Sequence, residues 1–216
     1  MHAQFVLFDG FDPLDVLGPY ETLLAGSTAA GGAITAELAA AEGPREVASG
    51  IGGIALRATA AVDPERADLV VVPGAAPGET GGSMSEAIDR VLSRAARSPL
   101  GALLVAAVQR PGTAVATVCG GSMLLGMTGA LAGRRATTNR LGLAEFARSG
   151  VEVVDARLVE DGDLITAGGV TSGVDLGLLL LEREVGPLVA RAVEDLLHHE
   201  RRGTVWRAEG PAPELA

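Results

Sequence analysis

Apolar positions in this chain fall into short unbroken runs, rich in β-branched residues and closed by Gly or Pro, separated by longer stretches with helical spacing. The runs "QFVLF" (4–8), "LVVVP" (69–73) and "AVATV" (114–118) read as strands. Near-continuous apolar strands suit a parallel sheet covered on both faces. Helical spacing over 13–26, 85–96 and 121–131 alternates with them, which predicts an α/β fold with a doubly wound, mostly parallel sheet sandwiched by helices. Further on, the pattern predicts a short strand over 134–138 and a helix around 141–148. A hairpin "ARLVEDGDLITAGG" follows, turning at Asp161-Gly162, and then two helices over 173–184 and 187–200. We read one domain over 1–200 and a C-terminal tail over 201–216, with no internal repeat.

Ligands of open α/β sheets bind at the carboxyl ends of the strands. Three loops leave buried strands at that edge, beginning at Asp9, Gly74 and Cys119. The single cysteine of the chain, Cys119, ends a β-branched run and is followed by Gly120, Gly121 and a helix. Such a strand-turn-helix elbow exposes a nucleophile and turns backbone N–H groups toward it, which predicts a thiol pKa low enough for a thiolate near neutral pH. The bland alternative is a cysteine that fills the core, since free cysteine is among the most buried residue types. Position at the ligand edge argues against it.

The nucleophile needs a proton-handling partner. None of the three histidines is near the elbow in sequence: His2 is terminal, and His198 and His199 read as solvated groups at a helix C-terminus. A carboxylate from "DGFDPLDVLGP" is the better candidate. Asp12 before Pro13 reads as an N-cap, and Asp15 at N3 either closes a capping box or serves the site. The glycine-rich loop after the second strand lacks phosphate-binding spacing, so backbone N–H groups near Gly74 and Ala75, beside that of Gly120, read as an oxyanion hole.

Charge and composition narrow the options. With 17 basic residues against 27 acidic ones the net charge is −10, which disfavours nucleic acid and anionic membranes as partners. Every basic residue except histidine is arginine. The absence of lysine excludes Schiff-base, pyridoxal-phosphate and Walker-loop chemistry. One cysteine makes neither an internal disulfide nor a thiolate zinc cluster, so no metal and no cofactor is expected. The start of the chain lacks a basic n-region and the apolar runs are too short to span a bilayer; the expectation is a cytoplasmic protein acting on a small molecule.

Taken together, "LDVLGPYETL", "VVVPG", "TVCGGSMLLGMTGALAGRRATT" and "DGDLITAGGVTSGVDLGL" resemble the ThiJ/PfpI superfamily, which is class I glutamine amidotransferase-like. Its members are flavodoxin-like α/β sandwiches with a cysteine at a nucleophile elbow. The most similar branch is that of the isonitrile (isocyanide) hydratases, together with amidase-like domains of AraC-type regulators. The resemblance implies that Cys119 is the nucleophile, that Asp15 is the acid/base group, and that the protein is a homodimer with the Asp15 helix near the interface. It implies a lyase that adds water to an isocyanide carbon to give an N-substituted formamide, with Asn139 and Gly169 in the substrate pocket. Two positions depart from the pattern. Gly120 stands where isonitrile hydratases carry threonine, and Asn139 where many relatives carry histidine. Protease, glyoxalase and glutaminase readings weaken, because the elbow lacks a histidine partner and Met123 replaces a glutamine. Too few residues follow Glu200 for a helix-turn-helix domain, so a regulator is not expected. A redox sensor or small-molecule binder, and an enzyme recruited to another cofactor-free reaction in specialised metabolism, remain as alternatives. Trp206 either closes the pocket or docks the tail, and docking is the favoured reading.

Overall fold

The computed structural model describes residues 1–78 and 83–210. Residues 79–82, in the glycine-rich loop, and 211–216, in the tail, lie outside the described residues. The fold is the expected α/β sandwich with a mostly parallel central sheet. Its first half contains β1 (His2–Leu7), α1 (Pro13–Ala29), β2 (Thr35–Ala40), β3 (Arg45–Ala48), β4 (Ala55–Ala58), β5 (Ala60–Ala61), β6 (Leu69–Val72), α2 (Met84–Arg97) and α3 (Pro99–Gln109). The second half contains β7 (Ala114–Val118), α4 (Gly121–Met127), β8 (Arg135–Ala136), a 3-10 turn (Arg140–Gly142), α5 (Leu143–Ala147), β9 (Glu152–Val153), β10 (Leu158–Asp161), β11 (Leu164–Ala167), α6 (Ser172–Val185), α7 (Pro187–Leu197) and β12 (Trp206–Arg207). Among the described residues no single helix is long and apolar enough to cross a membrane.

Eight strands form the main sheet in the order β12-β10-β11-β7-β6-β1-β2-β5. All neighbours are parallel except β10 and β11, the hairpin, where Asp161 pairs with Leu164 around Gly162 at φ 69°. The three strands read from the sequence, β1, β6 and β7, are its centre. Val70, Val71, Val115 and Ala116 are buried there, as continuous apolar runs require.

Helix α1 is set by its cap and by small residues. The Asp12 carboxylate accepts from Leu14 N at 3.0 Å, with Pro13 at the first helical position. Its inner face crosses α6 closely. A Cβ on Gly26 would lie 2.2 Å from Leu181 Cδ2, and one on Gly177 2.6 Å from Thr22 Cβ. This packing fixes the helix that carries Asp15.

Several boundaries differ from the sequence reading. Helix α4 stops at Met127 because Gly129 takes φ 81° and turns the chain. The strand read over 134–138 shrinks to Arg135–Ala136. Helix α7 ends at Leu197, where His198 adopts a left-handed conformation (φ 50°). Past residue 200 the chain adds an edge strand: β12 pairs with β10, and Arg207 Nε donates to Glu160 Oε2 at 2.6 Å. Trp206 thereby docks the segment onto the sheet and does not line the Cys119 cavity.

Candidate active site

Strand β7 delivers Cys119 to the carboxyl edge of the sheet with φ 55°, a left-handed conformation that a β-carbon resists by about 1–2 kcal/mol. Three hydrogen bonds hold it there. Cys119 N donates to Ala167 O at 2.9 Å, while Cys119 O accepts from Thr138 Oγ1 at 2.9 Å and Ser122 Oγ at 3.2 Å. The second glycine after it is required by space: a Cβ on Gly121 would lie 2.1 Å from Val72 O. The half-buried Cys119 side chain is therefore held at a sharp elbow.

The three expected loops meet around it. Asp12 N donates to Gly74 O at 2.9 Å, and Gly74 N donates to Asp15 Oδ2 at 2.9 Å. A Cβ on Gly74 would sit 2.6 Å from Gly120 N and 2.8 Å from Asp15 Oδ2, so glycine allows the first loop and the elbow to close on each other. Asp15 does not close a capping box. It is fully buried, and its Oδ1 has no hydrogen-bond partner. Burial, with Asp12 beside it and only the Gly74 bond opposing, pushes its carboxyl up to about 8. At neutral pH Asp15 is a carboxylic acid.

The thiol corrects an expectation. The sequence reading placed its pKa low, but burial and the neighbouring Asp15 push Cys119 up to about 12, against opposing hydrogen bonds from Asn139 and Gly120. The elbow supplies its donor as expected. Desolvation of the sulfur outweighs it. Cys119 and Asp15 thus rest as a thiol and an acid.

Asn139 is brought to the sulfur, its Nδ2 donating to Cys119 Sγ at 3.4 Å. Its Oδ1 accepts from Leu141 N at 3.1 Å, capping the 3-10 turn. That second bond fixes which end of the amide faces the sulfur. Gly74 is corrected: its N–H holds Asp15, which leaves those of Ala75 and Gly120 as the candidate oxyanion donors. A Cβ on Gly120 would lie 3.9 Å from Ala75 N, so the two residues adjoin. Gly169 is also displaced. It lines a neighbouring groove rather than the Cys119 cavity, and its N–H donates to Ser172 Oγ at 3.0 Å. His199 is not solvated: its Nε2 lies 3.0 Å from Asp175 Oδ1.

Above Cys119 lies a cavity of about 210 Å³, walled by Ile88, Met123, Leu141 and Val170 and bordered by Ala75, Gly120 and Asn139. Sequence reasoning missed the wall from α2, since no local motif marks which helix face covers a distant loop. It admits a small apolar molecule to the Cys119 nucleophile and to the backbone of Ala75 and Gly120.

The model of the DJ-1/PfpI family matches residues 1–183. Isonitrile hydratase of Pseudomonas putida is 30% identical over 194 residues, covering 90% of this chain and 76% of that protein. Among solved structures, a ThiJ/PfpI family protein from Pseudomonas syringae superposes with a TM-score of 0.76 at 22% identity, covering 94% of this chain and 76% of the other. Drosophila melanogaster DJ-1beta gives 0.74 at 19% identity, covering 93% and 98%. At these identities the two structures support the fold.

Proposed function

The chain belongs to the DJ-1/PfpI family, and on that footing we propose that it is a cofactor-independent, hydratase-type enzyme that adds water to an isocyanide carbon and releases an N-substituted formamide. The observation that carries this reading is the pairing of Cys119 with Asp15, a buried acid whose Oδ1 has no protein partner.

The isocyanide carbon is both nucleophilic and electrophilic, so it needs a proton and a nucleophile together. In the proposed sequence Asp15 gives its proton to that carbon as Sγ attacks it, and the thiol proton replaces the one Asp15 lost. The product is a thioimidate, with the S–H added across the carbon and the carboxyl unchanged. This relay suits a pair that rests protonated and needs no standing thiolate. Asp15 then protonates the imine nitrogen as it takes a proton from the water that adds to the carbon, so the carboxyl is again unchanged. Cleavage of the C–S bond returns the thiol and leaves the formamide. Asn139 Nδ2 and the N–H groups of Ala75 and Gly120 supply dipoles toward the charge that develops at sulfur and at the hydrated carbon.

The raised thiol pKa counts against the redox-sensor alternative, because cysteine oxidation follows thiolate content. Exposed Leu14 and Leu17 on the Asp15 helix support a homodimer, which sedimentation would test. The defining experiment is ultraviolet-monitored hydration of an aryl isocyanide with formamide identified by mass. The wild type should turn over and Cys119→Ala should not; formamide produced by the alanine variant sinks the proposal.

A further inference from the structure

The walls of the Cys119 cavity are apolar, but its charged lining residues are all acidic. Asp12, Asp89 and Glu145 border it, and no arginine or histidine does so among the described residues. Asp89 comes from α2 and Glu145 from α5, so two separate elements bring carboxylates to one opening. Glu145 is paired with Arg148 on its own helix. Asp89 is partly buried and forms no ion pair among the described residues. Burial and the charge of Glu145 both raise its pKa, the mark of two carboxylates sharing one space. An unpaired carboxylate, half out of water beside a like charge, is stabilised by a cation. The cavity that these carboxylates border opens onto the Cys119 sulfur, with Asn139 Nδ2 3.4 Å from it, so a molecule that reaches the nucleophile lies beside them.

We propose that this cavity selects amine-bearing, cationic substrates, with an apolar body against Met84, Ile88 and Val170 and an ammonium between Asp89 and Glu145, and that Asp89 sets this preference. The inference deepens the reading of the Cys119 cavity as the substrate site; it does not depend on which reaction occurs there. Anionic substrates are turned away by the same groups.

The single cysteine makes the test clean, because all thiol modification reports on Cys119. Two methanethiosulfonate reagents of similar size are compared, one bearing a trimethylammonium and one a sulfonate, with rates normalised to those for a free small thiol. The wild type should prefer the cationic reagent by about tenfold or more, and Asp89→Asn should cut that preference by about fivefold at low salt. Glu145→Gln, at a more exposed site, should cut it less. Equal rates for the two reagents, or a preference untouched by Asp89→Asn in a folded protein, would overturn the proposal. A protein that hydrates no isocyanide yet keeps the preference supports charge selection and refutes hydration.

Discussion

Two aspartates occupy the first turns of the two helices that cross each other, Asp15 on α1 and Asp175 on α6, and both are almost completely buried. Their surroundings differ. Asp175 receives Arg157 Nε at 2.6 Å, His199 Nε2 at 3.0 Å and Arg202 N at 3.3 Å, so both its oxygens are bonded and its charge is matched. Asp15 receives one backbone N–H and keeps one oxygen bare. Burial alone therefore does not define a site. The same side chain ties the C-terminal segment to the fold where its charge is matched, and becomes a neutral acid where it is not.

Substitutions should separate the two. Of the two, the large effect on turnover is expected for Asp15→Asn, which keeps the shape but removes the proton donor and should lower kcat by about 10²–10⁴-fold in steady-state assays. Asp175→Asn should leave kcat of the folded protein near wild type. It should instead destabilise the fold by about 3–5 kcal/mol in denaturant titrations, because Arg157 loses its buried partner.

The pH dependence of stability sharpens the contrast. The folded pKa of Asp15 is raised from 3.8 to about 8, so the native state keeps a proton that the unfolded chain releases at lower pH. Its contribution is fully present below the unfolded value and is lost as pH rises through the folded one. Thermal midpoints should thus fall across that window in the wild type, and Asp15→Asn should remove that part of the slope.

Smaller effects are expected around the sulfur. Asn139→Ala removes the donor to Sγ and the cap of the 3-10 turn, and should slow alkylation of Cys119 by about tenfold. The smallest is expected for Gly120→Thr. A Cβ there would meet Leu92 Cδ1 at 3.1 Å, a contact that a shift of a few tenths of an ångström relieves. The variant should fold, and aryl isocyanide turnover should change by less than tenfold.

Much of this was legible in the chain. The β-branched runs marked the three central strands, and the Cys-Gly-Gly junction marked the elbow. Strands β2 and β5 at one end of the main sheet, and the separate β3-β4 pair, escaped because alanine-rich segments such as "TAELAA" carry almost no alternation. The sign of the thiol shift was hidden for another reason. Local sequence shows the backbone donors of an elbow but not the desolvation imposed by distant loops. His199 escaped similarly: helical spacing carried the last helix too far, whereas the left-handed turn at His198 leads His199 to Asp175.

The central claim is that Asp15 stands protonated beside Cys119 at neutral pH. Difference infrared spectroscopy of the wild type against Asp15→Asn, titrated with pH, reads that proton directly. The account predicts a carboxylic-acid C=O band at neutral pH that disappears with a midpoint near 8. A carboxylate already ionised at neutral pH, with a midpoint near the ordinary value of 3.8, would contradict it.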